Sequence, residues 1–420
     1  MEDFVAWFRQ SAPYIRSMRG KTVVLVFGGE VFASEGFDDL VADVALLHTL
    51  GVRIVLVAGS RPQIDARLAE RGVEARFHRG LRVTDAAALV AVKEAAGANR
   101  VELEQRFTMG LAGSAMAHAR VRVAAGNFVV ARPHGVIDGV DFQFTGRVRR
   151  IDVDAIRARL DEGAVVVLTP VGYSVTGETF NLSSPELAAD TAIALKADKL
   201  VALVEGVDGD IHGELDSASA AERVAEVEGD LRMHLQQAIR AARGGVARAH
   251  LLGREADGSI LRELYTRDGA GLMVTDELYE GVRRATIADV PTLMQILGPL
   301  EEAGKLVHRP REVLENDIDQ FFVVERDGLV MGCAALYRHG EVGELACLAV
   351  DESHQERGRG EVLLRAVERA AREQKLKFLF VLTTQSVHWF QERGFAPCEP
   401  SELPRKTRPE RNSKTLRKAL

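Results

Sequence analysis

The chain has 420 residues, 46% hydrophobic and 27% charged, which is the composition of a globular protein of two to four domains. Its 54 basic and 61 acidic residues give a net charge of −7, which argues against a nucleic-acid-binding protein that must neutralise phosphates. No apolar run approaches the roughly 20 residues of a membrane span, and the acidic start at Glu2 and Asp3 lacks the cationic region of a signal peptide.

The three cysteines bear on the compartment and on metal binding. Cys333, Cys347 and Cys398 cannot all pair with one another, and their spacing is not that of a metal site. We therefore expect a protein of the reducing cytoplasm that holds no metal.

The first 275 residues alternate short β-branched runs with longer amphipathic stretches, a pattern typical of a parallel sheet between two layers of helices. Buried strands are predicted at Thr22–Phe27, Arg53–Ala58 and Ala164–Thr169. Apolar residues recur at helical spacing in Phe37–Leu50, between the first two strands. These elements predict a right-handed βαβ unit.

Glycine-containing turns follow the first two strands, at Phe27–Gly29 and Ala58–Ser60, where α/β proteins commonly hold phosphate. Three further motifs come later, at Gly80–Thr84, Asn181–Ser183 and Ala197–Leu200. In this order the motifs resemble the amino-acid kinase family, most closely the acetylglutamate kinases, over nearly the whole domain. The resemblance implies a three-layer α/β sandwich with a mainly parallel sheet.

The resemblance fails where phosphoryl transfer needs it most. Members of the family carry a lysine two residues before the first glycine pair, and this chain has Val26 there. The second turn has Ser60 in place of a glycine and Ala58 in place of a histidine, and Ser183–Pro185 replaces an expected aspartate. Because valine cannot stabilise charge on a transferred phosphoryl group, the domain is expected to be silent as a kinase.

The two ends of this domain resemble the arginine-sensitive acetylglutamate kinases, in which an N-terminal helix links subunits into a ring. Here Phe4–Met18 is amphipathic, so the resemblance implies a homo-oligomer, with a hexamer expected. It also implies an inhibitory L-arginine site formed by Tyr14, His250, Glu263 and Gly269. A carboxylate suits a guanidinium, although the alternative for Glu263 is a solvated helix charge.

A different pattern begins at Glu280, after the glycine-rich stretch Arg267–Thr275. We place the boundary there and expect an amino-acid-kinase-like domain at residues 1–277 and a second domain at residues 278–420. The second domain is predicted to open with a short strand at Arg283–Thr286 and a helix within Ile287–Leu297.

A hairpin is predicted next, with strands Phe321–Arg326 and Val330–Tyr337 joined by an Asp327–Gly328 turn. The strands and helices that follow alternate along the rest of the chain. They are predicted at Leu345–Val350 (strand), from Val362 (helix), at Phe378–Thr383 (strand) and at Ser386–Glu392 (helix).

The most specific local signal is the segment Gln355–Gly360, which lies between a predicted strand and a predicted helix. Free backbone N–H groups at a helix start attract anions, and glycine lets a phosphate approach the main chain. Arg357 and Arg359 add positive charge. A strand, this loop, a helix, a strand, a helix and Gly394–Phe395 in that order resemble the GCN5-related acetyltransferase superfamily, which has an α+β fold.

This second resemblance implies that acetyl-CoA binds at the loop. The residues that would hold its pyrophosphate are Gln355, Arg357, Gly358, Arg359 and Gly360. The backbone N–H groups that would polarise the thioester carbonyl are those of Leu348, Ala349 and Val350.

Attack by an amine on a thioester needs a base, because an amino-acid amine is mostly protonated near neutral pH. Glu344 is the candidate, on the strand that leads to the loop. Its neighbour Cys347 is either a hydrogen-bonding group or covalent acyl carrier, or a simple filler of the strand face. Many members of the superfamily protonate the thiolate with a tyrosine where this chain has Phe390, so Thr383 or Thr384 is expected to serve as the donor.

A kinase-like domain followed by an acetyltransferase domain resembles the bacterial N-acetylglutamate synthases along the whole chain. The resemblance implies acetylation of L-glutamate, with L-arginine as feedback inhibitor, and substrate contacts from Arg309, Arg411 and Ser413. The alternative for the last two is a frayed cationic terminus. An active acetylglutamate kinase with a fused acetyltransferase, and a non-enzymatic arginine sensor, stay open as rival interpretations.

Overall fold

The computed structural model describes residues 2–109, 121–207, 213–266, 269–276, 281–326, 329–352, 355, 358–404 and 413–420. The chain separates into two compact units, Met1–Leu278 and Tyr279–Leu420. Over the described residues, no helix has both the length and the apolarity needed to cross a bilayer.

The first unit contains helices and strands in alternation. Its described helices are α1 (Glu2–Met18), α2 (Phe37–Thr49), α3 (Arg61–Glu70), α4 (Ala86–Met109), α5 (Val153–Asp161), α6 (Ser184–Leu195), α7 (Ser217–Arg223), α8 (Gly229–Arg243) and α9 (Ser259–Tyr265). Its described strands are β1 (Thr22–Phe27), β2 (Arg53–Ala58), β3 (Phe77–His78), β4 (Leu81–Arg82), β5 (Arg122–Ala125), β6 (Val129–Pro133), β7 (Val136–Ile137), β8 (Val140–Asp141), β9 (Gly146–Ile151), β10 (Ala164–Leu168), β11 (Val171–Tyr173), β12 (Thr179–Asn181), β13 (Lys199–Val204), β14 (Gly213–Asp216), β15 (Arg248–Gly253) and β16 (Leu272–Thr275).

Eight of these strands form the central sheet, in the order β14-β16-β15-β13-β1-β2-β10-β5. Neighbouring strands are parallel except for the antiparallel pair β15 and β16. A second sheet has the order β12-β11-β6-β9. Of the candidate arginine-site residues, His250 lies on this large sheet, in β15.

Alternating side chains of the central strands build a core on each face of the large sheet. On β1, Val24 and Val26 pack into a core that α5, α6 and α8 share, whereas Leu25 and Phe27 pack into one shared by α2, α4 and α9. Such two-sided burial explains why the strand reads as a continuous apolar run. The expected three-layer sandwich with a mainly parallel sheet is confirmed.

The strands predicted for β1 and β2 have the observed bounds, and their parallel pairing confirms the βαβ unit. The predicted third strand ends one residue too late, because β10 stops at Leu168 and Pro170 follows. The predicted helix also extends one residue beyond α2, which ends at Thr49.

The second unit has fewer helices and a single large sheet. Its described helices are α10 (Val290–Glu302), α11 (Arg311–Asn316), α12 (Arg359–Glu373) and α13 (Val387–Gln391). Its described strands are β17 (Gly281–Arg284), β18 (Phe321–Arg326), β19 (Leu329–His339), β20 (Val342–Val350), β21 (Phe378–Thr383), β22 (Ala396–Pro397) and β23 (Lys414–Ala419).

The sheet of this unit has the order β17-β18-β19-β20-β21-β23-β22. The pair β20 and β21 is parallel, and the other pairs are antiparallel. Helix α12 covers one face and α10 the other. This arrangement confirms the α+β fold.

Two predictions at the start of this unit need correction. Strand β17 begins and ends two residues earlier than Arg283–Thr286, because Thr286 instead caps the turn that starts the first helix. Helix α10 continues past Leu297 to Glu302, because Pro299 is accommodated within it. The Asp327–Gly328 turn lies outside the described residues and stays a prediction.

Strands β20 and β21 separate partway along their length. Their ladder ends at the pair Leu345 and Val381, although β20 continues to Val350 and β21 to Thr383. Within the described ladders, the N–H groups of Ala346–Val350 on this side of β20 therefore have no strand partner. These backbone donors must be satisfied by something other than a neighbouring strand.

Candidate functional site

Glu344 lies on β20, just before the opening between β20 and β21. Its Oε2 lies 3.1 Å from Nε2 of His339, at the end of the adjacent strand. Both side chains are largely buried but reach solvent, with exposures of 18% for Glu344 and 24% for His339. A carboxylate held by an imidazole at the rim of a cleft is well placed to exchange protons.

The guanidinium of Arg309 extends from the loop between α10 and α11 towards the same strands. It hydrogen-bonds to Tyr337, which is the cross-strand partner of Glu344, and it lies near Cys347 and Glu344. Burial alone would lower the pKa of Arg309, but Cys347, Tyr337 and Glu344 raise it. The structure therefore places a half-buried cation beside the candidate base.

Tyr337 connects this cation to an acidic residue. Its hydroxyl donates to Oδ2 of Asp317 at 3.2 Å, and burial, followed by the nearby Cys347, raises the pKa of Tyr337 above its usual range. The phenol thus stays protonated and can hold Asp317 and the Arg309 guanidinium in fixed positions.

The backbone of the Arg309 loop is fastened to α10. The Glu301 carboxylate accepts a hydrogen bond from the Arg309 N–H at 3.1 Å and lies 2.7 Å from Nδ1 of His308. Only 10% of the Glu301 side chain is exposed. These two contacts of Glu301, referred to below as the clasp, fix the backbone position of Arg309 and hence the point from which its side chain extends.

Cys347 occupies an irregularity in β20, where the register with β19 shifts. Its φ of 51° is left-handed, which is uncommon for a residue with a side chain. Burial raises the pKa of the Cys347 thiol to about 11. A buried thiol of this kind is a poor nucleophile, so the geometry favours a packing or hydrogen-bonding role over an acyl carrier.

The loop that follows β20 meets the N-terminus of α12. Gly358 has a φ of 72° and precedes the first helical residue, Arg359, which is buried. Nε2 of Gln355 donates to the Val350 carbonyl at 3.3 Å. The first-turn N–H groups of α12 thus stand beside the open end of β20, whereas Arg357 lies outside the described residues.

The candidate hydroxyl donors lie at the end of β21, on the far side of the opening. Oγ1 of Thr383 accepts a hydrogen bond from the Ser386 N–H at 3.0 Å, and Thr384 is exposed. Lys414 pairs with Thr383, so the preceding residue, Ser413, lies at this end of the strand. Arg411 falls outside the described residues.

A second cluster lies in the first unit. Oε1 of Glu263 is 2.5 Å from Nδ1 of His250, and its Oε2 accepts from the Ala270 N–H. A Cβ added to Gly269, whose φ is 66°, would lie 2.7 Å from the same carboxylate, so a larger residue would collide with it. Tyr14 packs on the core that α9, the helix of Glu263, also contacts.

A buried lysine completes this cluster. Nζ of Lys199 lies 3.2 Å from Nε2 of His250, so the lysine and histidine of two neighbouring strands and the glutamate of α9 form a continuous chain of polar contacts. Burial, followed by Lys199, lowers the pKa of His250 to about 4. Burial alone would raise the pKa of Glu263, but the bond to His250 and the nearby charges lower it to about 2. Glu263 is thus a nearly buried carboxylate, not a solvated helix charge.

The glycine turns of the first unit are occupied by the protein's own side chains. The Gln63 side chain donates to the Gly29 carbonyl at 2.7 Å, and a Cβ on Gly28 would lie 2.1 Å from Oε2 of Glu30. Val26 is buried in the sheet. A carboxylate against the first turn disfavours a phosphate there.

Several of these contacts were not predicted from the sequence. His339 and Tyr337 could have been found from the hairpin, since the Gly340–Glu341 turn pairs Tyr337 with Glu344 and His339 with Val342, two residues before Glu344 on the same face of the strand. Asp317, Glu301 and the pairing of Lys199 with His250 come from separate segments and left no local signal. Over the described residues, no group of three histidine, cysteine or acidic side chains could hold a metal ion.

Two family patterns match the chain. The pattern of the amino acid kinase family covers residues 21–253, and that of the acetyltransferase (GNAT) family covers residues 290–395. Among curated proteins, the amino-acid acetyltransferases of Ectopseudomonas mendocina and Azotobacter vinelandii are 48% and 49% identical to this chain over the whole of both chains.

Solved structures give the same picture. A crystal structure of N-acetylglutamate synthase from Neisseria gonorrhoeae complexed with coenzyme A and L-arginine is 39% identical, with a TM-score of 0.86 and 99% of each chain covered. A second structure of that synthase, complexed with coenzyme A and N-acetyl-glutamate, is 38% identical, with a TM-score of 0.63 over the same shares.

Proposed function

The chain belongs to the amino-acid acetyltransferase family, and we propose that it acetylates the α-amino group of L-glutamate with acetyl-CoA, giving N-acetyl-L-glutamate and CoA. The observation that carries the proposal is the convergence of Arg309 and Glu344 on the part of β20 where its ladder with β21 ends. From there the open side of β20 runs on to Val350 and the loop that leads to the N-terminus of α12. A cation for a carboxylate, a base for an amine and donors for a thioester therefore share one cleft.

Acetyl-CoA would bind at the loop and the start of α12. The pyrophosphate accepts hydrogen bonds from the first-turn N–H groups, which include those of Gly358 and Gly360, and the helix dipole favours its charge. Arg357 and Arg359 would add positive charge. The thioester carbonyl then accepts from those N–H groups of the Leu348–Val350 segment that face the open side of β20, beyond the end of its ladder with β21.

L-Glutamate carries two carboxylates, and Arg309 would bind one of them. The clasp by Glu301 and the phenol of Tyr337 hold the guanidinium in place before substrate arrives, which lowers the entropic cost of binding. Arg411 and Ser413 from the C-terminal segment would bind the other carboxylate.

Starting from the ammonium, the nitrogen loses two protons and the thiolate gains one. Glu344 accepts the first proton, directly or through water, and the free amine attacks the thioester carbon. The C–S bond breaks as the nitrogen gives up its second proton and the amide forms; one of the two protons ends on the CoA thiol and the other passes to solvent. Thr383 is the better placed donor to the departing sulfur, because its Oγ1 already accepts from Ser386 and its own proton is free to point elsewhere; Thr384 is the alternative.

The first unit would be silent as a kinase and would bind L-arginine. The ligand guanidinium would take the place of His250 as a partner of Glu263, while Gly269 and Tyr14 border the site. Inhibition then requires arginine to bind the inactive conformation more tightly than the active one. This arrangement makes the end product of a biosynthetic route control its first step.

Assembly and location are further parts of the proposal. Helix α1 exposes Trp7 and Phe8, with exposures of 42% and 53%, and such apolar side chains suit burial against another subunit of a hexamer. The thiols of Cys333, Cys347 and Cys398 are all free, which fits the cytoplasm.

One experiment tests the proposal against both rivals. The purified protein is incubated with acetyl-CoA and each amino acid in turn, and separately with ATP and N-acetylglutamate, and products are identified by mass. We expect N-acetylglutamate in the first set and no ADP in the second. Absence of N-acetylglutamate would refute the acetyltransferase proposal, and ADP would identify an active kinase. Arginine binding without any product would identify a sensor.

A further inference from the structure

The indole of Trp389 packs against the first turn of α12. A Cβ added to Gly360 would lie 3.3 Å from Cζ2 and 3.9 Å from Cη2 of this ring, and these are the described atoms it would meet within 4 Å. Trp389 belongs to α13, so a separate helix supports the start of α12. A side chain at position 360 would fit only if the ring moved by a few tenths of an ångström.

Arg393 holds the indole from another side. Its guanidinium carbon lies 4.0 Å from the centroid of a Trp389 ring, and its Nη1 donates to the Trp389 carbonyl at 2.9 Å. Its Nη2 lies 3.5 Å from Oε2 of Glu361, the residue after Gly360. Trp389 is therefore fixed between the backbone of α12 and a cation that is itself tied to α12.

We propose that Trp389 is a positioning residue that sets the pyrophosphate-binding turn of α12, and that Gly360 is a glycine so that this indole can pack there. The inference rests on the proposed binding of acetyl-CoA at this turn. Helix N–H groups bind a phosphate well only when their directions are fixed relative to the rest of the ligand. The indole supplies that constraint at the end of the helix nearest the ligand.

The two glycines of the loop thus have different reasons to be glycine. Gly358 has a φ of 72°, and an added Cβ would meet nothing within 4 Å, so its backbone conformation requires glycine. Gly360 lies in the helix without a positive φ, and the obstacle to a Cβ there is Trp389. A glycine needed only for ligand approach would not depend on Trp389.

A double-mutant cycle tests this dependence. Trp389→Phe removes the outer ring that faces Gly360 but keeps an aromatic side chain beside Phe390. We expect Gly360→Ala to raise the KM for acetyl-CoA by about tenfold through overpacking, and Trp389→Phe by about threefold. In the Trp389→Phe background, Gly360→Ala should add less than about twofold. The KM for L-glutamate should stay within about twofold throughout.

An equal cost of Gly360→Ala in both backgrounds would overturn the proposal. Gly358→Ala is the matched control, because its strain is in the backbone and its cost should be the same with or without Trp389→Phe. If Trp389→Phe fails to fold, as judged by circular dichroism, Trp389→Leu replaces it in the cycle. Leucine also lacks the atoms that lie near Gly360.

Fluorescence gives a readout that needs no turnover. Trp7 and Trp389 are the tryptophans of the chain, so in a Trp7→Phe background the emission comes from Trp389. Titration with CoA should shift this emission, and saturation with CoA without any change would contradict the proposal. Calorimetry of CoA with the unaltered protein separates the proposed role of Trp389 from the proposed binding of acetyl-CoA at this turn. No binding there refutes the proposed cofactor site, whereas normal binding with an additive cycle refutes only the role of Trp389.

Discussion

Nε2 of His339 lies 3.1 Å from Oε2 of Glu344, at the mouth of the opening between β20 and β21. The contact holds the carboxylate towards the cleft without burying it completely. It also makes Glu344 the charged side chain of this hairpin that is best placed to take a proton from a bound amine.

Replacing Glu344 with glutamine should remove the proposed base, because an amide does not accept a proton at neutral pH, while the size and shape of the side chain are kept. We expect kcat to fall by about 100- to 10,000-fold, the range typical of a lost general base, while the Kd for CoA changes little. Steady-state kinetics and calorimetry measure the two quantities. Glu341→Gln is a suitable control, since Glu341 is 71% exposed and pairs with Lys377. Equal activity of the Glu344 and Glu341 variants would remove Glu344 from the mechanism.

Arg309→Lys should weaken L-glutamate binding. Lysine keeps the charge but loses the paired N–H donors and the contact to Tyr337, so the KM for L-glutamate should rise by about 10- to 100-fold. The KM for acetyl-CoA should not change. The matched control is Arg311→Lys, because Arg311 is 66% exposed and pairs with Glu315. A rise of the same size in the control would show that the effect is not specific to Arg309.

Cys347→Ala should retain activity. With a thiol pKa of about 11, only about one molecule in a few thousand carries the thiolate at about pH 7.5, so a covalent acetyl-cysteine is disfavoured. We expect kcat within about tenfold of the unaltered protein. Acetyl-CoA alone should leave no acetyl group on the protein in intact-mass spectra. Acetylated Cys347 and a loss of more than about a thousandfold would instead establish the thiol as an acyl carrier.

Glu263→Gln should abolish most of the response to L-arginine. A neutral amide cannot form the charge-assisted bond to a guanidinium, so the inhibitory concentration should rise by about 10- to 100-fold. Activity without arginine should stay within about twofold. Glu255→Gln, at a side chain that is 79% exposed, should leave inhibition intact. Undiminished inhibition of the Glu263 variant would move the effector site elsewhere.

Asp43 on α2 predicts a pH dependence of stability. It borders a surface cavity with Asp39 and Asp257, and burial, then the carboxylates of Asp257 and Asp39, raises its pKa to about 7. Since the unfolded value is near 4, the folded state keeps a proton that the unfolded state releases between these pH values. The contribution of Asp43 to the unfolding free energy is therefore present below about pH 4 and is lost as the pH rises through about 7.

Asp43→Asn should remove this dependence. In thermal unfolding at about pH 5 and about pH 8, the unaltered protein should lose more stability between the two values than the variant does. Asp154→Asn, at an exposed site on α5, is the control and should behave as the unaltered protein. Identical pH profiles for Asp43→Asn and the unaltered protein would show that Asp43 titrates normally.

The sequence predicted those elements whose residues show a local pattern and missed those that depend on contacts with distant segments. Strands β1 and β2 were predicted to the residue because each is an unbroken apolar run buried on both faces. Strand β23 was missed because three of the six residues of Lys414–Ala419 are basic, so that the segment resembles a cationic tail. It nevertheless pairs with β21 along its whole length, which a local pattern does not reveal.

The residues of the candidate sites were likewise predicted only where a local sequence pattern marks them. Glu344 and the loop at Gly358 were found because each stands beside a recognisable strand or helix start. The residues that surround Arg309 were not, since Tyr337 and Glu301 bond Arg309, and Asp317 bonds Tyr337, only after separate segments have folded together. Contacts between separate segments leave no periodic pattern in the sequence from which they could be predicted.

The carboxylate of Glu30 lies against Gly28, and Val26 is buried in the sheet just before it. A lysine at position 26 would place a charge inside a sheet that is packed with Val26, and the Glu30 carboxylate would still disfavour a phosphate at the turn beyond it. A phosphate site at this turn would therefore need changes at both positions, so a single Val26→Lys substitution should cost stability without creating one.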